Sequence, residues 1–161
     1  MLSLNFNRQG GGEQALGRSR GGFTTKLHLR VERHGKPIVV ILTAGQRHEQ
    51  TQLRALMEHG AIKRLGRGRP RLRPDRVGGD KGYSSRTVRH YRRSRGIGAV
   101  IPTRSNERRS PTFDRAAYRE RNVVERGINR FKPYRAIAPR DDKLAVSSLA
   151  AVTLVACLFW L

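Results

Sequence analysis

The chain has 161 residues, enough for one domain with a buried core. Its 34 Lys and Arg against 12 Asp and Glu give a formal net charge of +22, spread along the whole length. Such a field favours a polyanion, nucleic acid well ahead of a membrane surface, and the excess of Arg over Lys suits bidentate phosphate contacts. The single cysteine, Cys157, excludes an internal disulfide and a cysteine metal cluster and fits a reducing cytosol, and the first residues lack the apolar stretch of a secretory signal.

Residues 1–23 are rich in Gly, Arg and Ser and read as a basic flexible arm, in which only 2–6 has strand character. From Thr25 the period is two: Thr25, Leu27, Leu29 and Val31 alternate with Lys26, His28, Arg30 and Glu32, predicting a strand with one buried face. After a turn at 34–37, the continuous apolar run 38–43 predicts a central strand covered on both faces and paired with the first as a hairpin. Leu53, Leu56 and Met57 then fall at helical spacing before Gly60, a C-terminal stop.

A Pro- and Gly-interrupted basic loop, 66–74, leads to a short strand before Asp80, weak in propensity because of its two glycines. Ser84 or Ser85 can cap a helix ending at Gly96, and 97–102 reads as another buried strand. Asp114 can cap one long helix that Pro133 ends after Lys132. The uncharged run 144–161 carries Ser147, Ser148 and Thr153 and is expected as a core helix in preference to a membrane anchor. The alternation of strands and helices predicts an α/β layout.

At about 100° per residue, Tyr118, Arg121, Glu125 and Lys132 share an arc of roughly 60°, beside an apolar stripe of Ala117, Val124, Ile128 and Phe131. Glu125 is thus expected near the buried edge, where a carboxylate needs a cation. Arg121, four residues before it, supplies one as a helix-surface ion pair; a divalent metal shared with a second carboxylate is the other reading. Acids are scarce. Glu32, Glu49, Glu58, Glu107 and Glu120 are assigned to solvated positions, Asp75 to the basic loop, and Asp141 and Asp142 to a helix start. Asp80 differs, because it ends a strand at the edge where ligands gather in open α/β sheets. A turn aspartate bonded to backbone N–H groups is the plainer account of it. Taken together, Asp80 and Glu125 suggest a magnesium site at which surrounding cations deliver a phosphodiester.

These residues resemble the DDE transposases of bacterial insertion sequences, in the group with a Tyr-x2-Arg-x3-Glu-x6-Lys signature, which Tyr118, Arg121, Glu125 and Lys132 match in full. Segments 17–29, 42–50 and 80–85 and the apolar tail are also similar to that family. The resemblance implies a ribonuclease H-like α/β fold, a mixed sheet flanked by helices, with 24–161 as a partial catalytic domain. It implies two Mg²⁺ ions, with Mn²⁺ as a substitute, held by the catalytic and metal-binding residues Asp80 and Glu125. Tyr118, Arg121 and Lys132 would contact double-stranded DNA at element ends and target. The implied enzyme works as a homo-oligomer in the cytoplasm, associated with the nucleoid.

The family's first catalytic aspartate precedes the hairpin, and residues 1–23 contain no aspartate. The chain is therefore expected to lack the first core strand and to have little or no activity alone. It is either a frameshift partner of an upstream reading frame's product or a truncated remnant. A non-catalytic basic DNA-binding protein, acting as remnant or inhibitor, is the competing function, and a ribosome-associated basic protein the third.

Overall fold

The computed structural model describes residues 2–7, 15–19, 22–63, 66–107, 113–134, 137 and 144–161. Strand β3 (Gly22–Val31) organises the sheet. The earlier strands β1 (Leu2–Asn7) and β2 (Gly17–Ser19) and the later β4 (Pro37–Ala44) all pair with it antiparallel. Leu2 stands opposite Leu29 and Asn7 opposite Thr24, while Thr25 faces Ala44 and Arg30 faces Val39. Two expectations are corrected here. The stretch 1–23 contributes two strands to the sheet, so an antiparallel strand precedes β3. And β4, whose apolar run predicts a central strand, pairs only with β3 among the described residues.

The central strand is β3, and both its faces are buried. Leu27 and Leu29 are fully covered on one side, His28 and Arg30 on the other. Alternation predicts one solvated face; α1 (Leu53–Glu58) covers it instead. Buried polar groups must find partners. Arg30 donates to Leu56 O (3.1 Å) and His59 O (2.9 Å), satisfying carbonyls at the end of α1, and to Leu72 O (3.0 Å) in the basic loop. His28 Nε2 lies 2.8 Å from Thr43 Oγ1, and Lys26 donates to Arg47 O.

Strand β5 (Arg76–Gly78) pairs parallel with β6 (Gly98–Val100), the two joined through α2 (Arg86–Ser94). Pairing with β6 overrides the poor propensity of β5's glycine. Ser85 is the residue that caps α2, its hydroxyl accepting from the Val88 N–H. The spacing predicts one helix from Asp114 to Lys132, and the chain instead forms α3 (Arg115–Arg119) and α4 (Asn122–Asn129). Between them Arg121 N bonds Tyr118 O and Val123 N bonds Glu120 O, a tightened 3-10 turn. Asp114 caps α3 as expected, accepting from the Ala117 N–H.

The helix α5 (Ala145–Leu158) packs by a narrow stripe of Ser148, Val152 and Ala156 and leaves Val146, Leu154 and Leu158 exposed, so it is only partly a core helix. Among the described residues no helix is long and apolar enough to cross a membrane. One core joins Leu27 and Leu29 to Val124, Ile128, Phe131 and α5. The other joins Val39 to α1, Tyr83, Val88 and Ile97. The protein is thus a mixed α/β domain with helices on both faces of its principal sheet.

Candidate active site

Asp80 follows β5 and opens a 3-10 turn, Lys81–Tyr83. Its Oδ1 accepts the Gly82 N–H at 2.9 Å; among the described residues nothing pairs with Oδ2. The turn is braced from outside. Arg104 donates to Lys81 O and Gly82 O, both at 3.3 Å. Arg104 is in turn placed by Glu107, whose carboxylate accepts the Arg104 backbone N–H, the Ser84 hydroxyl and Arg89 Nη1. The Ser84 hydrogen bond, followed by that from Arg89, holds the Glu107 carboxyl down at about 2. Glu107 is therefore a structural brace, although its setting in a polar loop predicts a solvated acid. Its partners lie up to 23 residues away, and no local signal marks them.

The acid that meets Asp80 is Glu49, at the start of a second 3-10 turn, Glu49–Gln52. A Cβ built on Gly82 would lie 2.7 Å from Glu49 Oε2 and 3.0 Å from Asp80 Oδ1, so both carboxylates approach one point. Lys26 Nζ stands 3.6 Å from Glu49 Oε1 and partly neutralises the pair. Buried beneath them, the Tyr83 phenol is pushed up, by burial first and then by Glu49 and Asp80. Burial and then Lys26 push the His28 imidazole down to about 4, against the opposing effect of Glu49.

Glu125 lies in α4. Its Oε1 accepts from Arg121 Nη2 at 3.0 Å, and the side chain is 47% exposed. This removes the expectation of a carboxylate at a buried edge: the side chain is half-exposed and its described partner is the i,i+4 ion pair. The Arg121 guanidinium also sits over the Tyr118 ring, 5.1 Å from its centroid. Tyr118, Arg121 and Glu125 therefore form one contact line. Lys132 lies beyond α4 in an exposed turn, its N–H bonded to Asn129 O. Gly127 of α4 packs against the turn at Gly35, where an added Cβ would be 3.1 Å from Gly35 O. That is the opposite end of the β3–β4 hairpin from Lys26 and Glu49. No described hydrogen bond or ion pair joins Asp80 to Glu125, and no group of three or more His, Cys, Asp or Glu among the described residues is placed to hold a metal.

What links the two halves is a cavity of about 640 Å³. Gly78, two residues before Asp80, and Arg121, the partner of Glu125, both line it. The lining is mostly apolar and includes Arg30, Arg33, Arg71, Arg73 and Arg76 alongside Glu32, Asp75 and Glu120; Arg30 and Arg73 are bonded to backbone carbonyls and Arg71 is paired with Asp75.

Residues 77–161 match the transposase DDE domain. The chain is 32% identical, over 97% of its length and 71% of the relative's, to a protein of Burkholderia cepacia named as a candidate transposase for insertion sequence element IS402. It is 30% identical, over 86% of its length and 98% of the relative's, to one of Brucella ovis named in the same way for element IS6501. No solved structure matches it.

Proposed function

The chain belongs to the insertion-sequence transposases that carry a DDE domain, and from that premise we propose that it serves DNA transposition by divalent-metal-dependent cleavage and transfer of DNA strands. In this reading Asp80 and Glu125 hold the metal, and Tyr118, Arg121 and Lys132 contact DNA. What supports it is the DDE-domain match over residues 77–161, together with a cavity whose lining includes both Gly78, two residues before Asp80, and Arg121, the partner of Glu125. Arginine suits the closely spaced phosphates of a strand backbone.

The donors fit a hard divalent ion in type. Both are carboxylates, and each has one oxygen engaged by a described partner, Asp80 Oδ1 by Gly82 and Glu125 Oε1 by Arg121. Mg²⁺, or Mn²⁺ in its place, would supply Lewis acidity at the phosphodiester. The chain's own contribution is positional. The Gly82 N–H fixes the Asp80 carboxylate, Arg104 and Glu107 hold that turn, and Arg121 couples Glu125 to the cavity wall. The enzyme acts on nucleoid DNA in the cytoplasm as a homo-oligomer.

A second reading, a non-catalytic DNA-binding protein, is favoured by the ion pair that already satisfies Glu125. Mn²⁺ titration of the purified chain with duplex DNA separates the two. Under the enzyme reading, Asp80→Asn and Glu125→Gln each weaken Mn²⁺ binding while DNA affinity without metal is kept. Mn²⁺ binding unchanged in both variants would leave only the second reading.

A further inference from the structure

Resting on the DNA reading above, we infer that the loop at 66–70 reads the minor groove of A·T-rich duplex DNA through Arg67 and Arg69. The loop between Ile62 and Arg71 has a fixed stem. Ile62 and Arg71 exchange two backbone hydrogen bonds, of 2.8 and 2.7 Å. The buried Arg30 guanidinium holds Leu72 O, and Arg73 donates to Arg95 O at 2.8 Å. Arg71 is paired with Asp75. Of the arginines at 67, 69, 71 and 73, Arg71 and Arg73 are therefore committed to the fold. Arg67 and Arg69 are exposed and have no partner among the described residues.

The local chemistry suits a narrow groove. Arg67 stands between Gly66 and Gly68, and Arg69 is followed by Pro70. Two glycines leave the backbone beside Arg67 without Cβ atoms, so it can enter a groove only about 6 Å wide. Gly68 has φ +133°, a conformation that L side chains rarely adopt, and Pro70 withdraws an N–H that the groove could not satisfy. Guanidinium is less strongly hydrated than ammonium and is drawn to the enhanced negative potential of narrow A·T minor grooves. A purely electrostatic loop would need neither the glycines nor arginine in place of lysine.

The test is fluorescence anisotropy of the full chain with three duplexes of equal length at one salt concentration: A·T, G·C and inosine·cytosine. The last presents the major groove of G·C but lacks its minor-groove amino group. The expected result is that A·T and inosine·cytosine bind about tenfold or more tighter than G·C. R67A/R69A abolishes the preference and lowers the salt slope by up to about two. R67K/R69K keeps the salt slope and loses most of the preference. Equal affinities, inosine·cytosine behaving like G·C, or a preference intact in both variants would overturn the inference. Salt-dependent binding without preference removes this inference alone. Failure to bind any duplex removes the DNA reading with it.

Discussion

Glu49 and Asp80, 31 positions apart in the chain, bring their carboxylates to the same glycine: a methyl group on Gly82 would meet Glu49 Oε2 at 2.7 Å and Asp80 Oδ1 at 3.0 Å. Gly82→Ala must push at least one of them aside while leaving the buried apolar clusters intact. Mn²⁺ affinity is expected to fall about tenfold or more, as for disturbed support of a metal ligand, with a small change in Tm. Mn²⁺ titration and thermal melting on the same sample check this; wild-type affinity in the variant would dissociate the Asp80 turn from metal binding.

Glu107 ties Ser84, Arg89 and the Arg104 backbone together, and Arg104 in turn holds the Asp80 turn. Its folded carboxyl titrates at about 2 in place of 4.5. A lowered carboxyl favours the folded state above the unfolded value, so this contribution is intact above about 4.5 and is lost as pH falls toward 2. Glu107→Gln should lower the urea midpoint near neutral pH and flatten its pH dependence across that window. It should also weaken Mn²⁺ binding through Asp80. Equal slopes for variant and wild type would show that the brace does not form.

The buried His28 has the opposite charge type but loses stability in the same direction. Its folded pKa of about 4, against 6.5 for a free imidazole, means that protonation favours the unfolded chain. Stability is complete above about 6.5 and falls between 6.5 and 4, by an amount on the order of 3 kcal/mol. His28→Gln can still bond Thr43 and should remove most of that slope in urea denaturation followed at several pH values. A slope unchanged by the substitution would assign the acid sensitivity to other groups.

The Arg121–Glu125 pair is half-exposed and adds little to stability, about 0.5 kcal/mol or less. Glu125→Gln is thus expected to leave Tm within a degree or two of wild type, while Mn²⁺ binding in the presence of DNA weakens. A large loss of Tm would mean that Glu125 serves the fold, and its effect on metal binding would no longer speak for a direct role.

Periodicity made the β3–β4 hairpin, α2 with its serine cap and the Asp114 cap legible, because each depends on residues within a few positions of one another. The polar residues His28 and Arg30 look solvated in a two-residue period; both are buried because they can reach Thr43 and three carbonyls. The stripe Tyr118, Arg121, Glu125 survives the break between α3 and α4, since both flanking residues keep helical backbone angles. Glu49 and Glu107 could not be found by spacing. Their roles come from turns that meet Asp80 from separate elements, a relation that only the folded chain creates.

Whether Asp80 and Glu125 hold one metal is tested most directly by replacing Mg²⁺ with Fe²⁺ on the DNA-bound chain and mapping where hydroxyl radicals cut the polypeptide. A metal shared by the two carboxylates gives cuts beside residues 80 and 125 that excess Mg²⁺ suppresses. Cuts beside 49 and 80 with none near 125 would contradict it.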